Sequence, residues 1–158
     1  GYGFLLNNEL TDFNFVPLTA GVPDPNLPGP GKRPRSSMSP TILMDGGAPF
    51  LAVGSPGGAT IITSVSQTIL GYLDRGLPLV DAIAAPRLSS RNGTEGAEPA
   101  LLASPVAAGL TALGHKLSNA GEIGAVTAIR SLGGGRFEAA AETVRRGGGS
   151  AMVVRPQP

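Results

Sequence analysis

The chain has 158 residues, the usual size of one domain, and can bury roughly two thirds of the surface its unfolded form exposes. Its 24 glycines and 15 prolines would suit a disordered chain, but 41% apolar and 15% charged residues are too hydrophobic and too weakly charged for one. A net charge of +1, from 12 basic and 11 acidic residues, supplies no field for phosphate backbones or anionic lipid, and 4% aromatics are too few to stack bases, so nucleic acid is excluded as a partner.

The absence of cysteine excludes disulfides and thiolate metal sites, and the single histidine, His115, cannot build a histidine-rich one. No metal and no organic cofactor is implied. No apolar run reaches the length of a membrane span, and the first residues lack a signal-peptide pattern. The chain opens on Gly1 rather than methionine, so the expectation is a piece of a longer protein, folded as one turn-rich domain over residues 1–158.

Tyr2 to Leu10 reads as an extended apolar segment running into a polar knot at Asn7, Asn8 and Glu9, with Asp12 three residues on. Residues 16–35 are rich in proline and glycine and carry no apolar period, which predicts a long loop, ordered at least in part. Two apolar runs, Thr41 to Met44 and Phe50 to Val53, flank Asp45-Gly46-Gly47 and predict a hairpin. After the glycine turn Gly54-Ser55-Pro56-Gly57-Gly58, residues Ile61, Ile62, Val65, Ile69 and Leu73 recur at helical spacing. Gly76 is expected to end that helix.

Leu79 to Ala85, stopped by Pro86, and Val106 to Leu113, with Ser104 as N-cap and Pro105 in the first turn, predict two further helices. Ala125 to Leu132 and Arg136 to Ala141 flank Gly133-Gly134-Gly135 as a second hairpin. Hairpins and helices in this order predict an α+β fold rather than an alternating parallel one.

Three groups of residues could carry chemistry. Gly57 and Gly58 put two consecutive backbone N–H groups ahead of a helix, where they could hold an oxyanion or simply turn the chain. Ser36 and Ser37 offer hydroxyls and amides to a carboxylate, or cap a turn. Glu9 and Asp12, beside two asparagines, could hold an ammonium group, act as an acid and base pair, or face solvent. His115, just past a helix end, reads as structural. Taken in chain order, acceptors for an ammonium, donors for a carboxylate and an oxyanion pair are complementary to an amino-acid head group joined to a reacting acyl carbon.

The blocks Gly3 to Phe13, Pro28 to Ile42 (including Arg33-Pro34-Arg35-Ser36-Ser37-Met38-Ser39-Pro40) and Gly54 to Gly58 resemble the small subunit of γ-glutamyltranspeptidases. Ala85-Pro86-Arg87, Gly114-His115-Lys116, Gly124-Ala125-Val126 and Arg146 to Gly149 are similar to its later landmarks. The resemblance implies an N-terminal nucleophile hydrolase with a four-layer αββα sandwich, of which this chain would form part, made from a self-cleaving precursor. It implies attack on the γ-glutamyl amide of glutathione or a related donor, and passage of the acyl group to water, an amino acid or a peptide. Gly57 and Gly58 would then form the oxyanion hole, Ser36 and Ser37 would hold the donor α-carboxylate, and Glu9 and Asp12 its α-amino group.

The family's threonine nucleophile lies upstream of Asn7, and no threonine here occupies its position, so a polypeptide starting at Gly1 is expected to be inactive alone. The large subunit and the upstream part of the small subunit are expected partners, and self-association through exposed sheet edges is expected without them. The family resemblance further implies an exported, periplasmic or membrane-associated protein, and places the 16–35 loop near the donor pocket. The alternatives are a cephalosporin acylase-like or poly-γ-glutamate depolymerase-like relative, or a scaffold without catalysis.

Overall fold

The computed structural model describes residues 6–152. Tyr2 to Leu5 of the expected extended segment, and with them the start of the Gly3 to Phe13 block, lie outside the described residues. Contacts group the chain into two compact units, Gly1–Ser37 and Met38–Pro158.

In the first unit, residues 9–12 form a 3₁₀ turn, Glu9–Asp12. It starts at the asparagines because Asn8 offers its carbonyl to both the amide (3.0 Å) and the hydroxyl (2.8 Å) of Thr11, while Asn7 Oδ1 accepts from the Glu9 amide at 3.1 Å. The proline-rich loop that follows has no repeating ladder, and its order comes from side-chain bonds together with isolated main-chain ones such as Asn14 amide to Asn26 carbonyl. Asp24 accepts from Asn14 Nδ2 and the Asn26 amide, each at 2.8 Å, and from the Leu18 amide at 3.2 Å. These bonds hold the Asp24 carboxyl below its ordinary pKa, the Asn14 amide contributing most.

The second unit is built on a four-stranded antiparallel sheet in the order β1-β2-β6-β7, formed by β1 (Thr41–Asp45), β2 (Ala48–Gly54), β6 (Thr127–Gly133) and β7 (Arg136–Ala141). Gly46 and Gly47, both at positive φ, close the first hairpin, and Gly133 to Gly135, all at positive φ, close the second. Both stand where the turn residues predicted them. Two helices, α1 (Ile61–Leu73) and α2 (Leu79–Ala84), cover one face. Leu51 and Val53 of β2, Val126, Ala128 and Ala140 pack there against Ile61, Val65, Leu79 and Ile83. The period of two in the strands sets this alternation: Ala52 and Ile129, next to core residues in sequence, are exposed.

Helix α1 departs from the expected apolar stripe. Ile62 and Leu73 are exposed, and Ser64, Thr68 and Gly71 are buried in their place. The two hydroxyls are tolerated because each returns its proton to the carbonyl four residues back, Ser64 to Thr60 and Thr68 to Ser64, both at 2.9 Å. Gly71 lies against Ala82 and Leu77, which brings α2 close. The helix ends at Leu73, and Gly76, at φ +66°, lets the chain fold back so that the Leu77 amide reaches the Gly71 carbonyl.

A second, three-stranded sheet escaped the sequence reading. It comprises β3 (Leu88–Ser89), β4 (Glu95–Ala97) and β5 (Leu117–Asn119), with β4 and β5 parallel. Gln67 of α1 anchors it, donating to the Leu88 carbonyl and accepting from the Leu88 amide at 2.6 and 3.1 Å. Two short helices, α3 (Pro99–Leu102) and α4 (Pro105–Ala112), lie between β4 and β5. Ser104 stands before α4 as predicted, but its hydroxyl donates backward to Leu101 O at 2.7 Å instead of capping α4. His115 pairs with Glu95 at 3.1 Å, a structural contact that holds the Glu95 carboxyl below its ordinary pKa.

Arg145 is buried. It forms a quartet with Arg87, Glu98 and Glu142, each no more than 5% exposed. Arg87 meets Glu142 at 3.1 Å, and Arg145 bonds both Glu142 and Glu98. The two guanidiniums also bond the Ile83 carbonyl, and Arg145 reaches Ala85 O, so together they satisfy the end of α2.

Among the described residues, no helix or strand covers the other face of the four-stranded sheet, which is apolar. Ile42, Ala52, Ile129 and Ala139 stand in register across all four strands, with Ile42 63% and Ile129 52% exposed. The expected apolar exposure at a sheet edge is therefore found on a sheet face.

Candidate functional site

The acidic pair comes from the 3₁₀ turn. With three residues per turn, positions i and i+3 eclipse, so Glu9 and Asp12 project from one side of it. Both are half-buried. Glu9 Oε1 is buried without a hydrogen-bond partner among the described residues. A carboxylate oxygen removed from water and given no donor is costly, and a cation would relieve that cost.

The serine pair follows the proline loop on a stretch without helix or strand, Ser36 exposed and Ser37 half-buried. A residue that the sequence reading passed over ties its approach to the acidic turn. Asn26 donates from Nδ2 to the Asp12 carbonyl at 2.7 Å and accepts at Oδ1 from the Arg35 amide at 2.8 Å. Arg35 also reaches Asn14 Oδ1 at 3.3 Å. Asparagine in a loop reads as turn chemistry, so nothing in the local sequence marks this bridge.

The glycine turn belongs to the second unit. Gly57 adopts φ +143° and Gly58 φ +53°, and the helical backbone starts at Gly58. A β-carbon on Gly57 would lie 2.7 Å from Thr60 Oγ1 and 3.3 Å from the Gly124 Cα, so only glycine fits. The Gly57 carbonyl is used inward, accepting from the Thr60 hydroxyl at 2.9 Å and amide at 3.1 Å. Among the described residues, neither the Gly57 nor the Gly58 amide donates to a protein acceptor. Two adjacent donors without a protein acceptor among the described residues, at the start of a helix, could stabilise developing negative charge.

The turn is braced from behind. The Ala125 amide donates to Ser55 Oγ at 3.1 Å, and Gly124, at φ +68°, has no room for a β-carbon because Ser55 and Ser64 Oγ would stand within 2.8 Å. Ile123 is held by the buried quartet, its amide on Glu98 Oε1 at 2.8 Å and its carbonyl on Arg87 Nη1 at 2.7 Å. Burial raises the Glu98 carboxyl, but the Arg145 guanidinium and the amides of Ile123 and Arg87 outweigh it, leaving the group below its ordinary value. Burial also opposes ionisation of Glu142, and the Val144 amide and both guanidiniums overcome it, again lowering the pKa. Burial pushes Arg145 down, but the Glu98 and Glu142 carboxylates outweigh it and hold Arg145 up, while burial and the neighbouring Arg145 lower Arg87.

An antiparallel sheet covered by helices on one face and left apolar on the other, with a glycine turn feeding the first helix, is one α and one β layer of an N-terminal nucleophile hydrolase αββα sandwich. The solved γ-glutamyltranspeptidase of Pseudomonas nitroreducens complexed with L-DON superposes with a TM-score of 0.77 at 39% identity, covering 98% of this chain and 84% of that one. The γ-glutamyltranspeptidase family profile matches residues 1–152, and the chain belongs to that family. It is 41% identical over 148 residues to the glutathione hydrolase proenzyme of Bacillus subtilis, covering 92% of this chain. To the glutathione hydrolase proenzyme of Pseudomonas aeruginosa it is 40% identical over 166 residues, covering 99% of this chain. It spans only 24% and 29% of those two relatives.

Proposed function

We propose that this chain is the donor-binding part of a γ-glutamyltransferase/glutathione hydrolase that is made as a self-cleaving precursor. The observation that carries the proposal is the Gly57-Gly58 turn, two amides without a protein acceptor among the described residues, the first held at a conformation closed to any other residue, in a chain whose relatives are glutathione hydrolase proenzymes. In this reading Glu9 and Asp12 accept the donor's α-ammonium, Ser36 and Ser37 donate to its α-carboxylate, and the glycine amides stabilise the oxyanion that forms on the γ-carbonyl. The nucleophile is an N-terminal threonine supplied upstream. Its hydroxyl attacks the γ-carbonyl, the amide nitrogen leaves with a proton, and the resulting ester passes its acyl group to water or an acceptor amine. The uncovered sheet face receives the second β layer, contributed by the large subunit and the upstream small-subunit segment.

Glutathione offered to the full-length, processed protein tests this. Stoichiometric release of glutamate and cysteinylglycine is expected, and γ-glutamyl transfer when an acceptor dipeptide is added. A processed protein that releases no glutamate would refute the proposal.

A further inference from the structure

An amino-acid head group carries its ammonium and its carboxylate on one carbon. A site for both must therefore hold its acceptors and its donors at one short, fixed separation. Here the two sets lie on either side of a loop of more than twenty residues, and such a loop does not fix a distance by itself. We propose that Asn26 is the positioning residue that sets this separation, an inference that rests on the head-group reading given above.

Its side-chain amide bonds both approaches directly. Nδ2 donates to the carbonyl of Asp12, the last residue of the acidic turn, at 2.7 Å, and Oδ1 accepts at 2.8 Å from the amide of Arg35, the residue before the serine pair. Its main chain is fixed as well. The Asn26 amide donates to Asp24 Oδ1 at 2.8 Å, and its carbonyl accepts from the Asn14 amide at 3.0 Å. Asp24 in turn holds Asn14 Nδ2 and the Leu18 amide.

Side-chain chemistry restricts this position. A planar amide presents one donor and one acceptor at a fixed spacing; aspartate keeps the acceptor and loses the donor, and alanine loses both. Pro23, Pro25 and Pro28 around it reduce the freedom the loop loses on ordering. The proline-rich segment thus acts as a buckle between the two halves of the head-group site.

The test compares the full-length processed protein with Asn26→Ala and Asn26→Asp, using γ-glutamyl-p-nitroanilide and glutaryl-p-nitroanilide, which lacks only the amino group. The readout is the ratio of kcat/KM for the two donors. Loss of the fixed separation removes the advantage of carrying both charges, so each variant should lose about tenfold or more in that ratio, mainly through KM of the γ-glutamyl donor. A purely structural defect lowers both donors by one factor and leaves the ratio unchanged. That result, or an unchanged rate with both donors, overturns the proposal. If Asn26→Ala yields no folded protein, the isosteric Asn26→Asp carries the comparison. A native protein without preference for the γ-glutamyl donor overturns the head-group reading, and this inference with it. A native preference retained in the variants overturns this inference alone.

Discussion

Arg87 and Glu142 lie 55 residues apart in sequence and meet at 3.1 Å with both side chains buried. Glu142 also receives Arg145, and Glu98 closes the set by accepting from Arg145 and from the Ile123 amide. Removing one member leaves an uncompensated buried charge. In the full-length protein, Glu142→Ala should therefore lower unfolding stability by about 3–5 kcal/mol in urea titration. A loss under about 1 kcal/mol would show the quartet to be loosely coupled.

The same carboxylates set an acid limit. Glu98 and Glu142 have pKa values below their ordinary 4.5 in the folded chain, so the unfolded state binds more protons in the acid range. Their contribution is fully present above that ordinary value and is lost as pH falls through the lower folded values. The urea midpoint should change little on their account between pH 7 and pH 5 and fall below about pH 4.5. Glu98→Gln should flatten that fall. A midpoint that rises on acidification contradicts the assignment.

The glycine turn makes two unequal predictions. Gly57→Ala forces a β-carbon onto Thr60 Oγ1 and toward the Gly124 backbone at φ +143°, whereas Gly58 has open space and φ +53°. In the processed enzyme Gly57→Ala should lower kcat by roughly 10²–10³-fold, the effect of losing an oxyanion donor. Gly58→Ala should cost less, because its donor stays in place. Steady-state kinetics on both variants would reveal the reverse order if the turn served another purpose.

The apolar sheet face predicts a contrast between contexts. Expressed alone, the 158-residue chain should self-associate, and Ile42→Glu with Ile129→Glu should shift it to monomer in sedimentation velocity, since both positions are exposed. In the full-length protein the same pair should block folding, because the second β layer would bury two unpaired charges. A variant that folds and processes normally would show that nothing packs on this face.

Much of the second unit was legible because its turns announce themselves. Gly46-Gly47 and Gly133 to Gly135 bracket runs with a clear period of two, and Pro86 and Pro105 mark helix ends. The small sheet was not legible, since strands of two and three residues such as Leu88–Ser89 and Leu117–Asn119 are too short to show a period. Ser64 and Thr68 were missed as core residues because back-bonding to a helix carbonyl hides a hydroxyl from any hydropathy argument. Nothing in the local sequence pairs Arg87, Glu98, Glu142 and Arg145, and only tertiary structure brings them together. The acidic turn, the serine pair and the twin glycines could be named from sequence. Asn26 could not, because its partners lie 14 and 9 residues away.

The central claim is that this chain recognises an α-amino acid head group on its acyl donor. The most direct measurement is the ratio of kcat/KM for γ-glutamyl-p-nitroanilide over glutaryl-p-nitroanilide in the full-length processed protein. Charge-assisted bonds from the ammonium to Glu9 and Asp12 should make that ratio at least about 10²-fold. A ratio of one or below would contradict the account and assign the protein to the acylase reading instead.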